Sequence, residues 1–184
     1  MAAENARVSE GGVAAVPIEH RRWILINSVL ITAFINIVIN TGAAAAGARG
    51  HHVAWWTSNP FKTNLLYNTL GTLFILPLVT ALGVGSAVAK ERGTGMLAPI
   101  GSPFNTRPWR WVRSATGMRR ALRIAVVTFV ALAPLDIAVV VIFGRNGADA
   151  SHFVMVQVLF AVLLGAVVTP LVALVAMCDE GASA

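Results

Sequence analysis

Four stretches of this chain are almost free of charge, and each is long enough to cross a bilayer. Residues 23–46, 63–89 and 153–178 contain no Asp, Glu, Lys or Arg, and residues 124–143 contain only Asp136. A hydrocarbon core about 30 Å thick needs roughly 20 predominantly apolar residues to span it as a helix. The expected fold class is therefore an all-α integral membrane protein, a four-helix transmembrane bundle built as two in–out–in hairpins. Composition agrees. Hydrophobic residues make up 57% of the 184, the mean hydropathy is +0.73, and only 12% are charged, against about 25% in an ordinary soluble domain. The surplus of apolar sequence has to face lipid.

The formal net charge is +6. In a soluble chain that would suggest nucleic acid, but here the positions of the cations give another reason. Arg7, Arg21 and Arg22 precede the first span, and Lys90, Arg92, Arg107, Arg110, Arg113, Arg119, Arg120 and Arg123 lie between the second and third. The opposite side has Arg49, Lys62 and Arg145. Lys and Arg concentrate on cytoplasmic loops, so both termini are expected in the cytoplasm, in a bacterial inner (plasma) membrane, with no nucleic-acid partner. Residues 1–20 read as a disordered cytoplasmic tail, 21–178 as the transmembrane domain and 179–184 as a short cytoplasmic tail. The first span exceeds the 7–15 apolar residues of a signal h-region and reads as an uncleaved signal anchor. Cys178 is the one cysteine, which excludes an internal disulfide and suits a small apolar filler.

The long loop between the second and third spans has two parts. Gly93, Gly95, Pro99, Gly101, Pro103 and Pro108 break helix in the first. In the second, Trp111, Ala115, Met118 and Leu122 share one helical face, with Arg110, Arg113, Arg119, Arg120 and Arg123 opposite. Residues 109–122 are therefore expected to form a cytoplasmic interfacial amphipathic helix whose arginines contact anionic lipid headgroups. The same arginines also serve positive-inside insertion.

Inside the spans, polar residues recur at helical spacing. Ser28, Thr32, Asn36 and Asn40 form a stripe on the first span, and Asn64, Asn68 and Thr72 form one on the second. Pro77 lies mid-span, followed by the small residues Ala81, Gly85 and Ala89. The fourth span carries Gln157 near its outer end and Thr169-Pro170 deeper. At a rise of 1.5 Å per residue, Asp136 lies about 18 Å and Asn36 about 20 Å from the cytoplasmic boundary, and Asn68 and Thr72 lie roughly 8–14 Å below the outer edge. Asp136, Asn36, Asn68 and Thr72 are therefore expected in one layer of the outer half, with Asn40 and Gln157 above it. The carboxyl of Asp136 has no cation of this chain at its depth. It is protonated, ionised and wet, or paired with a cation from outside.

Two functional readings follow. In the first, the polar cluster glues helices together in a non-enzymatic accessory or self-associating subunit, partnered in a homodimer or a larger membrane complex. In the second, Asp136 is the site of a small proton- or ion-coupled transporter or channel. Asn36-Ile37 with Asp136-Ile137, and Pro77-Leu78-Val79 with Pro170-Leu171-Val172, hint at a duplicated hairpin of the parallel-repeat kind. Catalytic motifs are missing. Gly93-Thr94-Gly95 lacks the Lys-Ser/Thr of a phosphate loop, and HExxH, CxxC and GxSxG do not occur. No enzyme, cofactor or metal is expected. His51, His52, Asp149 and His152 in the outer loops are the weak exception for a metal, because adjacent histidines do not share a face.

Overall fold

The computed structural model describes residues 17–49, 51–59, 62–97, 100 and 107–178. The described residues form helices: α1 (Ile18–Trp23), a π-helical stretch (Ile24–Leu30), α2 (Ile31–Ala48), α3 (Leu65–Gly93), α4 (Arg107–Arg113), α5 (Gly117–Phe143) and α6 (Ala150–Met177). Among them no strand occurs, and one isolated antiparallel bridge joins Val53 to Ala148. Residues 1–16 of the expected tail, and 179–184, lie outside the described residues, as does the side chain of Ser28. The helix at the amino end begins at Ile18, earlier than expected, with Pro17 in extended conformation before it. Proline suits the edge of a first turn because its missing N–H would have no partner there.

Three helices, α3, α5 and α6, are long and apolar enough to cross a membrane, with hydropathies of 2.0, 2.6 and 2.8 over their best windows. At 29, 27 and 28 residues each extends about 40 Å or more. The first run is helical from Ile18 to Ala48, but the π-helical stretch divides it and leaves Thr32–Ala48 as a shorter apolar α-helix. Large apolar side chains on the outward faces are exposed, among them Phe34, Val130 and Leu163. In water this would be a liability. Against lipid it is the expected surface.

The helices pack in the order α2, α6, α3, α5, with α6 and α3 central. A core of Leu73, Val84 and Val88 on α3 and Ala161, Val168, Val172 and Ala173 on α6 joins the central pair. Small residues on α6 let the backbones approach closely. A second cluster, with Leu65, Val140 and Phe153, closes the end where α3 and α6 begin and α5 finishes. Local chemistry sets the ends. Asn64 caps α3, its Oδ1 accepting from the Tyr67 N–H at 2.9 Å. Beyond α5, Gly147 takes φ +72° so that the chain can turn back beside Val53. A Cβ there would lie 2.5 Å from the Val53 carbonyl oxygen, and only glycine fits.

The expected amphipathic helix over 109–122 is two pieces. α4 ends at Arg113, Thr116 is extended, and α5 starts at Gly117 with φ +52°. The arginines explain why the corner holds. Arg120 Nε donates to the Ala115 carbonyl at 2.7 Å. The Arg123 guanidinium donates to the Trp111 carbonyl and to Ser114 Oγ at 2.8 Å, and stacks 4.7 Å over the Trp111 ring. Carbonyls that a helix end leaves open are thus bonded by side chains from the next helix.

Candidate binding site in the membrane

The polar residues singled out in the spans fall into two groups, on different faces of α3. Asp136 is buried where α5 meets α3, with 7% of its surface exposed. Its Oδ2 accepts a hydrogen bond from Thr69 Oγ1 at 2.8 Å. The same hydroxyl lies 3.2 Å from the Leu66 carbonyl of its own helix. Asn36, Asn68 and Thr72 are not its partners. Asp136 and the amide and hydroxyl residues expected beside it therefore do not form one cluster. Thr69 was missed because the conspicuous stripe on α3 is Asn64, Asn68 and Thr72. One residue further along a helix turns about 100°, which points Thr69 at α5.

The other five residues of the expected cluster do meet. Asn36, Asn40, Asn68, Thr72 and Gln157 line one groove of about 330 Å³ between α2 and α3, together with Gly71, Ile39, Ile75, Leu76, Val79 and Thr80. The groove exists because α2 and α3 each pack on α6 rather than on each other. Gln157, on α6, is 3% exposed. Its Nε2 donates to Thr72 Oγ1, and its Oε1 is buried without a partner. Turning the amide over would exchange the two atoms and leave Nε2 unbonded instead, since one contact serves only one of them. Asn36 Nδ2 is also buried without a partner. It sits over Gly165 of α6, where a Cβ would approach it to 2.8 Å. Asn40 Nδ2 donates to the Asn36 carbonyl at 2.9 Å. No charged side chain lines the groove among the described residues.

At the corner between α5 and α6, Asp149 lies 3.5 Å from His52 Nδ1 and 3.9 Å from His152 Nδ1, all three exposed. His52 Nε2 is 3.0 Å from the Asn146 carbonyl. The structure groups His52, rather than His51, with Asp149 and His152, and no cluster among the described residues has the makings of a metal site. At the opposite end, Arg110 and Arg119 are exposed, as contact with lipid headgroups requires. Arg113 is half-buried, and Arg120 and Arg123 hold the α4–α5 corner. Trp111, Met118 and Leu122 are exposed apolar residues on that corner, while Ala115 is buried. Cys178 is buried and free. Comparison with protein-family models, with curated proteins and with solved structures matches this chain to none of them.

Proposed function

We propose that the chain is a non-enzymatic multi-pass membrane protein, an accessory or self-associating subunit, which works by recognition inside the bilayer. In this reading four segments cross, the fourth being the run from Ile18 to Ala48, and both termini face the cytoplasm of a bacterial inner membrane. Arg21 and Arg22 at one end of that run, Lys90 and Arg92 at the end of α3, and the arginines opening α5 support this orientation. The observation that carries the functional reading is the groove. The half-buried Asn40, Asn68 and Thr72 line it, and lipid tails offer such side chains no hydrogen bonds. A partner molecule within the membrane supplies what the chain does not.

The competing reading, an ion site at Asp136, draws less support. Asp136 faces α5's neighbour Thr69, away from the polar groove, and a single hydroxyl tie is the geometry of packing glue. Two measurements test the proposal. Extracted in mild detergent or lipid nanodiscs, the protein should run above the 19.4 kDa of one chain, through copies of itself or a stoichiometric partner. A lone chain under every mild condition counts against a subunit. Asp136→Asn should fold and show the same proton and cation flux as wild type in proteoliposomes. A flux that wild type carries and the variant loses would revive the ion site.

A further inference from the structure

A second cavity lies between α3 and the start of α5, at the end of the bundle where the arginines gather. Its volume is about 400 Å³, within the roughly 300–1,000 Å³ of small-molecule sites. Arg92, near the end of α3, and Arg120, in the opening turn of α5, both line it. Each is half-buried, and no Asp or Glu lines the cavity among the described residues. Arg120 Nε donates to the Ala115 carbonyl at 2.7 Å. That bond anchors the side chain and leaves its charge in place, since a carbonyl is neutral. Thr116, whose side chain does not cap α5, adds a hydroxyl.

The charges stand at one end only. Along α3 the lining runs back from Arg92 through Ala89, Ser86 and Gly85 to Leu82 and Ala81. At 1.5 Å per residue, Arg92 and Ala81 are about 16 Å apart along the helix, close to half of a hydrocarbon core about 30 Å thick. Small side chains leave room on this face, and Leu82, Ser86 and Ala89 are exposed. Cations at the mouth and an open apolar path one leaflet deep match the polarity of a phospholipid. Two guanidiniums favour a phosphate, whose oxygens their N–H forks bond in pairs. Free phosphate would leave the apolar length unfilled. An acidic polypeptide segment would set backbone groups against lipid.

We propose that the cavity between α3 and α5 holds an anionic phospholipid, its phosphate between Arg92 and Arg120 and one acyl chain along Gly85, Leu82 and Ala81. This rests on the multi-pass reading, which sets that end of α3 at a lipid interface. It is separate from the α2–α3 groove and from subunit association. A chain that runs alone and still binds the lipid removes only the association, and an assembly that does not bind it removes only the lipid.

The experiment is photolabelling of the full chain in phosphatidylcholine nanodiscs. The probes, at trace level, are phosphatidylglycerol with a diazirine in one acyl chain and phosphatidylcholine with the same chain. Adducts are mapped by mass spectrometry. The anionic probe should label residues 81–89 well above the zwitterionic one, and unlabelled phosphatidylglycerol should compete. Arg92→Gln should cut this labelling about tenfold, the lower end of what a hydrogen bond to a charged group contributes. Gly85→Leu keeps both charges and fills the path of the chain, since a Cβ there meets nothing within 4 Å. Its labelling should fall to the level of the zwitterionic probe, with helicity and monodispersity retained. Arg119→Gln removes an equal charge outside the cavity and should leave labelling within about twofold, because exposed charges are screened over about 8 Å. Equal labelling by the two probes overturns the proposal, as does wild-type labelling of a folded Arg92→Gln or Gly85→Leu. An equal loss in Arg119→Gln overturns it in favour of attraction to the whole surface. Displacement by inorganic phosphate, beyond a chloride control of the same ionic strength, overturns it in favour of a free anion. Labelling that appears only once Asp179 and Glu180 are changed to Asn and Gln overturns it in favour of the chain's own carboxylates.

Discussion

Thr69→Val removes the hydroxyl that bonds Asp136 and keeps the side chain's shape. The carboxyl of Asp136 is then buried at 7% exposure with its hydrogen bond from Thr69 gone. Stranding a buried polar group costs about 1–3 kcal/mol, and interhelical polar contacts in membranes contribute about 0.6 on average and up to about 1.7 kcal/mol. The expected loss is therefore about 1–2 kcal/mol, roughly a 5- to 30-fold rise in the unfolding constant. The reverse deletion should cost less. In Asp136→Leu the Thr69 hydroxyl keeps the Leu66 carbonyl 3.2 Å away and is not stranded, so the loss should be under about 0.6 kcal/mol. With both residues apolar, the double variant should match Asp136→Leu alone, because removing both partners avoids the stranded group. Unfolding by SDS in mixed micelles, followed by helical circular dichroism, measures all four corners of this cycle. Thr69→Val within about 0.3 kcal/mol of wild type, the additivity limit of such cycles, would refute the reasoning. So would Asp136→Leu as the costlier change.

Three further outcomes follow from close contacts. Gly165→Val should lower stability by about 1–3 kcal/mol, the usual cost of overpacking, because even a Cβ would meet Asn36 Nδ2 at 2.8 Å; the unfolding midpoint reads it. Gly147→Ala combines φ +72° with a 2.5 Å approach to the Val53 carbonyl. It should cost about 1–3 kcal/mol of backbone strain and speed hydrogen exchange at Val53 and Ala148, whose amides bond each other's carbonyls. Arg123→Lys should free α4 nearly as much as Arg123→Ala, since a lysine does not reproduce the paired bonds and stacking on Trp111; proteolysis within residues 107–116 measures it.

The membrane character was legible because it rests on length and charge, which need no tertiary knowledge. Asn36, Asn40, Asn68, Thr72 and Gln157 were legible as a group for a related reason. Helical spacing placed the stripes on faces, and residue rise placed them at depth. What spacing cannot supply is which helix lies beside which. Depth alone made Asp136 a neighbour of Asn36 and Thr72, whereas α3 stands between α5 and the groove. Thr69 carried a signal of its own, since it opens a second i, i+4, i+7, i+11 series with Leu73, Leu76 and Thr80, all buried. The corner at Ser114–Thr116 was hidden because Trp111, Ala115, Met118 and Leu122 keep helical periodicity across it. The only local warning was Gly117, whose positive φ a sequence pattern does not reveal.

The central claim is that recognition in the groove and the Asp136 tie are separate. Chemical cross-linking in lipid nanodiscs, run side by side on Asp136→Asn and Gly71→Leu, tests it most directly. Asp136→Asn should cross-link to species above the 19.4 kDa of one chain as wild type does, and Gly71→Leu should not. A folded Asp136→Asn that runs alone, or a folded Gly71→Leu that still assembles, would contradict the account.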